Sequence, residues 1–178
     1  MALYVHKYGG TSMGSTERIR NVAKRVAKWA RAGHQMVVVP SAMSGETNRL
    51  IALAKELAPE RALQAYHREL DMLAATGEQA SSALLAIALQ AEGMGSVSYA
   101  GWQVPIRTDN SYTKARIESI DDKRVRADLD NGKVVIVTGF QGIDDDGNIT
   151  TLGRGGSDTS AVAVAAAILG LLLWLVVI

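Results

Sequence analysis

Cysteine is absent from the 178 residues. Its absence rules out disulfides and thiolate metal sites, and it fits a reducing, cytoplasmic setting. Proline occurs 3 times against 17 glycines, so glycine is expected to serve particular turns rather than a low-complexity tract. Neither sign of charge dominates: Lys and Arg number 19, Asp and Glu 18. No strong field therefore draws nucleic acid or an acidic partner. The opening "MALYVHKYGG" lacks the roughly 7–15-residue apolar core of a secretory leader. There is no internal repeat and no linker-like stretch, and the length suits one domain, residues 1–178, with a sizeable core.

What is present alternates between strand-like and helix-like segments. "LYVHKY" (Leu3 to Tyr8) reads as a strand that runs into Gly9-Gly10. Ser15 or Thr16 can cap a following helix with Glu17 in its first turn. Ile19, Val22, Val26 and Trp29, with Ala23 and Ala30, form that helix's apolar face. "QMVVVP" (Gln35 to Pro40) and "KVVIVTG" (Lys133 to Gly139) are unbroken apolar runs, as in strands buried on both faces. A helix is expected to reach about Leu57. Pro59 to His67 reads as a connection, followed by a long helical region interrupted at Gly77. "SVSYAG" and "RIESID" are candidate strands, and "WQVPIRTDNSYTKA" between them reads as an irregular loop. Asp121 or Asp122 can cap a short helix to Asp130. "GIDDDGNITT" carries a hairpin signal at Asp146-Gly147. This order predicts an α/β layer fold with a mostly parallel sheet, whose ligands gather at the carboxyl ends of the strands.

Three polar, glycine-bearing loops follow buried-type strands: "YGGTS", "SAMSGET" and "GFQG". Two familiar motifs fail there. A phosphate-binding loop of the G-x-x-x-x-G-K-[ST] kind needs its lysine after the glycines, whereas Lys7 precedes them. The dinucleotide fingerprint would need glycine where Asp158 stands. Lys7 beside Gly9, Gly10, Thr11 and Ser12 remains open between an anion-binding loop and a tight turn with a surface lysine. "GRGGSD" is more telling. Arg154 offers a fork for carboxylate or phosphate, and Gly155 and Gly156 let a ligand approach the backbone. Ser157 and Asp158 precede a helix expected from Thr159, whose N-terminus favours anions. "DDDGN" does not fit a calcium loop, since that would need acidic residues at Gly142 and Gly153. His6, His34 and His67 lie beside no nucleophile motif. Arg18, Arg20, Lys24, Arg25, Lys28 and Arg31 read as one solvated helix face.

Taken in order, "KYGGTS" (Lys7 to Ser12), "VPSAMSGETN" (Val39 to Asn48), "TGEQ" (Thr76 to Gln79), "TGFQG" (Thr138 to Gly142) and "TTLGRGGSDTSAVAVAAA" (Thr150 to Ala167) resemble the aspartate kinases of the amino-acid kinase superfamily. The resemblance covers roughly residues 1 to 168. It implies a three-layer α/β/α sandwich. It also implies transfer of a phosphoryl group from ATP, with Mg2+ on the nucleotide, to the β-carboxylate of L-aspartate on the route to lysine, threonine and methionine. On the matching positions, Lys7 would neutralise phosphoryl charge while Tyr8, Gly9 and Gly10 lie along the phosphates. Ser41 and Ser157 would stand by the transferring group. Thr47, Glu78, Arg154, Gly155 and Gly156 would hold aspartate, Glu78 by its ammonium and Arg154 by its α-carboxylate. Asp158 would organise Lys7 and the metal-nucleotide. No protein-held metal is implied, and the family form is expected to be a homo-oligomer.

The pattern departs from the family after the last motif. Where the family carries a strand with Ile-Tyr-(Ser/Thr)-Asp-Val-Asp-Gly on the nucleoside side of ATP, this chain reads "LGLLLWLVVI". The nucleoside-binding half and the regulatory domains are thus expected to lie outside these residues, and the chain reads as truncated. The apolar run from Ala161 to Ile178, about 27 Å long as a helix, falls short of a bilayer core of roughly 30 Å. It reads as a buried helix, a stop at Gly170 and a central strand. The alternative is an inactive remnant with a membrane-associating tail.

Overall fold

The computed structural model describes residues 1–58, 65–169 and 175–177. In chain order the elements are β1 (Leu3–Tyr8), α1 (Thr16–Arg31), β2 (Gln35–Pro40), α2 (Glu46–Leu57), α3 (His67–Ala91), β3 (Ser96–Tyr99), β4 (Ile106–Thr108), β5 (Ile117–Ile120), α4 (Lys123–Asp130), β6 (Val134–Val137), β7 (Gln141–Ile143), β8 (Ile149–Thr151), α5 (Gly156–Leu169) and β9 (Leu175–Val177).

Five strands form one wholly parallel sheet in the order β3-β6-β2-β1-β9. Strand side chains alternate between faces, and this alternation sorts the core into two clusters. Val5, Val37, Val39, Val135 and Val137 face α4 and α5, where Val125, Leu129, Ala161, Val164, Ala165 and Ile168 meet them. Tyr8, Met36, Val38, Val134 and Ile136 face α1 and α3, against Ile19, Val22, Val26, Leu85 and Leu89. The result is an α/β/α sandwich, and β2 and β6 are buried on both sides, as their unbroken apolar runs require. Burying each such Val or Ile contributes roughly 1.5–3 kcal/mol.

A second, mixed sheet in the order β5-β4-β7-β8 lies beside the first. β7 and β8 form the expected hairpin, with Gly147 at φ 79° in its turn. Left-handed backbone of this kind favours glycine. β4 corrects the reading of residues 102–115 as wholly irregular: Ile106 and Thr108 are buried and Arg107 is exposed between them. Three residues of such alternation are too short a signal to show in the sequence.

Four further expectations change. α3 runs unbroken through Gly77, where a Cβ would come within 3.2 Å of the Ala42 Cβ. Glycine at that point lets the loop after β2 press against the helix. α5 begins at Gly156, so Ser157 and Asp158 lie inside its first turn rather than before it. Trp29 sits at the rim of α1's apolar face, 39% exposed, packed against Tyr4 and His34. β9 pairs with β1 alone, so among the described residues the tail forms an end strand of the sheet rather than a central one. Pro59 and the rest of the connection up to Gln64 lie outside the described residues.

The Ser15 hydroxyl does cap α1, accepting from the Arg18 N–H at 3.2 Å. Asp121 accepts from the Lys123 N–H at 3.1 Å at the start of α4. α3 is 25 residues long and apolar enough to cross a membrane by length and composition. Here it packs between α1, α2 and the sheets, and it buries Asp71 and Glu78.

Candidate active site

The carboxyl ends of β1, β2 and β6 lie side by side, with Tyr8 opposite Pro40 in the ladder and the Ser41 N–H donating to the Tyr8 carbonyl at 2.8 Å. Onto this edge comes the first turn of α5. Its approach depends on Gly139, where a Cβ would meet the Ser157 Cβ and the Val39 Cγ1 at 3.0 Å. The close contact sets Ser157 Oγ 2.8 Å from Ser41 Oγ. On the same helical turn, Asp158 Oδ1 stands 2.7 Å from Lys7 Nζ. Lys7 is itself buried, 7% exposed. A buried ammonium, the positive end of a helix and two hydroxyls make a cradle for a phosphoryl group. Gly10 packs so close to the Ala42 carbonyl that a Cβ would lie 3.2 Å from it. Glycine there brings the loops after β1 and β2 together.

The Tyr8 side chain turns away from the cradle. Its position alternates with Lys7, so the ring turns to the α1 face and is buried there, with its hydroxyl 3.3 Å from His6 Nδ1. Only its backbone borders the cradle.

Next to the cradle lies a cleft of about 400 Å³, lined among others by Thr47, Glu78, Phe140, Arg154, Gly155, Gly156 and Ser157. The expected aspartate-holding residues therefore come together, and Ser157 belongs to both the cleft and the cradle. Glu78 is 5% exposed. Its Oε1 accepts from the Ala42 N–H at 3.2 Å, while its Oε2 is buried without a hydrogen-bond partner. Desolvation pushes its carboxyl up to about 7, against the pull of the Ala42 N–H. An unpaired buried carboxylate oxygen is costly and calls for a donor. A ligand ammonium entering the cleft would supply one. Arg154 is exposed on the turn before α5, and Gly153 and Gly155 flank it at φ 77° and 74°.

The structure also places in the cleft residues that the sequence did not single out: Asp71, Thr113, Phe140 and Thr151. Asp71 had one available signal, a charged residue two helical turns before Glu78 on an otherwise apolar stretch. Phe140 adopts φ 70°, and its N–H is held by Ser160 Oγ at 2.9 Å. Nothing in the local sequence announces that conformation.

A parallel sheet with a lysine at one strand end facing a helix N-terminus is a phosphoryl-handling design, and the chain belongs to the amino acid kinase family, whose sequence profile matches residues 2–176. Within that family it is similar to aspartate kinases. It is 60% identical over 168 residues to an aspartate kinase of Pseudomonas fluorescens, a match covering 94% of this chain and 40% of that protein. It is 52% identical to aspartokinase 2 of Bacillus subtilis over the same shares. The chain thus spans about 40% of the length of these relatives. The crystal structure of the Synechocystis aspartate kinase superposes with a TM-score of 0.76 at 46% identity, over 93% of this chain and 26% of that one. Aspartokinase III of E. coli, solved with aspartate and ADP, superposes with a TM-score of 0.82 at 24% identity, over 99% and 49%. That last likeness is one of fold.

Proposed function

We propose that this chain forms the aspartate-binding and phosphate-binding part of an aspartate kinase, which transfers the γ-phosphoryl group of ATP to the β-carboxylate of L-aspartate to give 4-phospho-L-aspartate. The observation that carries the reading is the pairing of two sites on one strand edge. One is an oxyanion cradle at Lys7, Ser41, Ser157 and Asp158. The other is a cleft with a buried unpaired Glu78 oxygen and the Arg154 guanidinium. Such a cleft suits a small zwitterion, ammonium toward Glu78 and α-carboxylate toward the arginine fork. The side-chain carboxylate is then left to point at the cradle.

The chemistry needs no general base. A carboxylate with a pKa near 4 is ionised at neutral pH. One of its oxygens forms the new bond to the γ-phosphorus as the bond to the ADP oxygen breaks, and ADP leaves with that electron pair. What remains for the protein is to align the reactants and neutralise charge. Lys7 would neutralise charge on the transferring oxygens, and the Ser41 and Ser157 hydroxyls would add donors. Mg2+ would arrive with the nucleotide and neutralise triphosphate charge, with Asp158 the carboxylate nearest to receive it. The relatives named aspartate kinase support this substrate choice. The lysine, threonine and methionine route, a cytoplasmic location, a homo-oligomeric form and the reading of 1–178 as one portion of the kinase domain belong to the same proposal.

Calorimetric titration of the chain with L-aspartate, succinate and tripolyphosphate tests it. Aspartate should bind, succinate should bind about tenfold or more weakly for want of the ammonium, and tripolyphosphate should bind without displacing aspartate. Equal affinity for aspartate and succinate would remove the basis of the reading.

A further inference from the structure

We propose that Asp71 is the positioning residue of the aspartate cleft: without touching substrate, it fastens Thr113 and Thr151 and so sets the place of the Gly153-Arg154 turn. The inference rests on the aspartate-kinase reading of that cleft.

Asp71 precedes Glu78 by seven residues, about two helical turns, so both carboxyl groups leave α3 on one side. Their surroundings differ. Asp71 is 1% exposed, and neither of its oxygens is free. Oδ1 accepts from the Thr113 N–H at 3.0 Å and from the Thr151 hydroxyl at 2.7 Å. Oδ2 accepts from the Thr113 N–H at 2.9 Å and from the Thr151 N–H at 2.7 Å. Glu78 keeps one oxygen for a ligand; Asp71 spends both on protein.

One of the residues it holds has a strained backbone. Thr113 is a β-branched residue at φ 68°, a conformation that such residues adopt only when the surroundings impose it. The N–H that Asp71 grips belongs to this residue. The Thr113 carbonyl in turn abuts Gly153, where a Cβ would lie 3.0 Å from that oxygen. Arg154 is the next residue. On the other side, Thr151 ends β8 two residues before Gly153, and its carbonyl accepts from the Ala115 N–H at 2.9 Å. One carboxylate thereby ties α3, the 109–116 loop and β8 together around the root of the arginine that would receive the substrate's α-carboxylate. Misplacement of such a group by about 1 Å can lower function about 100-fold.

The test uses three variants of the chain. Asp71→Ala removes all the acceptors. Asp71→Asn preserves most of them, since its amide oxygen can accept from the two backbone N–H groups while its NH2 donates to the Thr151 hydroxyl, which can accept. Thr151→Val removes the hydroxyl alone. For Asp71→Ala we expect aspartate affinity to fall about 10- to 100-fold, with tripolyphosphate affinity held within about twofold. Amide exchange at Thr113 and Gly155 should accelerate. Asp71→Asn should restore aspartate affinity to within about threefold. If Asp71→Ala does not fold, the comparison of Asp71→Asn with Thr151→Val decides, the first near wild type and the second weakened for aspartate only. The idea is overturned if aspartate and tripolyphosphate affinities fall together, or if aspartate binding survives Asp71→Ala and Thr151→Val. A wild-type chain that takes up no aspartate would instead defeat the functional reading. Amide exchange at Gly155 would then still judge the positioning, and unchanged exchange in the variants would end it.

Discussion

Lys7 Nζ lies 2.7 Å from Asp158 Oδ1, and this ion pair joins the end of the first strand to the first turn of the last described helix, 151 residues later. The two ends of the pair are not alike. The lysine side chain is 9% exposed and the aspartate 53%. Losing the lysine leaves a carboxylate that water can reach. Losing the aspartate leaves a buried ammonium without a counter-charge, the more costly case. The asymmetry suits a cation kept in readiness for an anionic ligand.

Lys7→Met should therefore leave stability within about 1 kcal/mol, because the half-exposed partner is screened by solvent. It should lower tripolyphosphate affinity about tenfold or more. Asp158→Asn should destabilise the chain more than Lys7→Met does, yet raise metal-free tripolyphosphate affinity a few-fold by removing a competing anion. Thermal melts and calorimetry on both variants check the pair of outcomes. Phosphate binding that survives Lys7→Met unchanged would move the cradle elsewhere.

Gly139→Ala should cost about 1–3 kcal/mol, the usual range for overpacking. The new methyl carbon would lie 3.0 Å from Ser157 Cβ and 3.2 Å from Ser157 Cα, and Cα is backbone that cannot swing aside. The first turn of α5 must retreat, which parts the Ser41–Ser157 hydroxyl contact. Denaturant midpoints report the cost, and tripolyphosphate affinity should fall in the same variant. A variant as stable as wild type would show that the approach of α5 is looser than these distances require.

Much of this arrangement was legible in the sequence, and for identifiable reasons. The buried strands β2 and β6 announce themselves because parallel strands covered on both faces need unbroken apolar runs. The Lys7 loop by itself stayed open between an anion site and a tight turn, whereas "GRGGSD" was more telling because a guanidinium and paired glycines stand just before a helix start. The second sheet was partly hidden, since β4 and β7 have only three residues each and a period of two cannot be read from so few. Asp71 and Thr113 were hidden for another reason. Their roles arise from contacts between residues 42 positions apart; nothing local marks Thr113, and the charge of Asp71 two helical turns before Glu78 marks a buried carboxylate without telling what it holds. Gly77 misled in the opposite direction. It looks like a helix breaker, but the close approach of Ala42 is what demands it.

Arg154→Lys should weaken aspartate binding about tenfold or more while leaving tripolyphosphate affinity within about twofold. Lysine preserves the charge but loses the planar fork that meets a carboxylate with two parallel hydrogen bonds. Arg154 is exposed on its turn, so the fold should not notice the change and the melting temperature should stay within a degree or two. Competition titrations of aspartate and tripolyphosphate on the variant give both numbers. An equal loss for both ligands would assign Arg154 to the phosphate cradle instead.

The last expectation concerns pH and Glu78. Burial pushes its carboxyl up to about 7 from the ordinary 4.5. A raised acid pKa means that the folded chain favours the protonated form. The folded state is therefore most stable, as far as Glu78 is concerned, below about pH 4.5; it loses that stability as pH rises toward 7 and changes no further above it. The difference corresponds to about 3 kcal/mol. Glu78→Gln removes the titration, so the stability of the variant relative to wild type should increase between pH 4.5 and 7 and then level off. Aspartate reverses the bias, because its ammonium favours the ionised carboxylate. Binding below pH 7 should release a proton from Glu78, and affinity should rise by up to about tenfold per pH unit between pH 5 and 7 before reaching a plateau. The substrate's own groups do not titrate in that interval. Calorimetry in two buffers of different ionisation enthalpy counts the proton directly. A binding enthalpy independent of buffer at pH 6, with affinity flat from pH 5.5 to 8, would show that Glu78 is not the ammonium's partner.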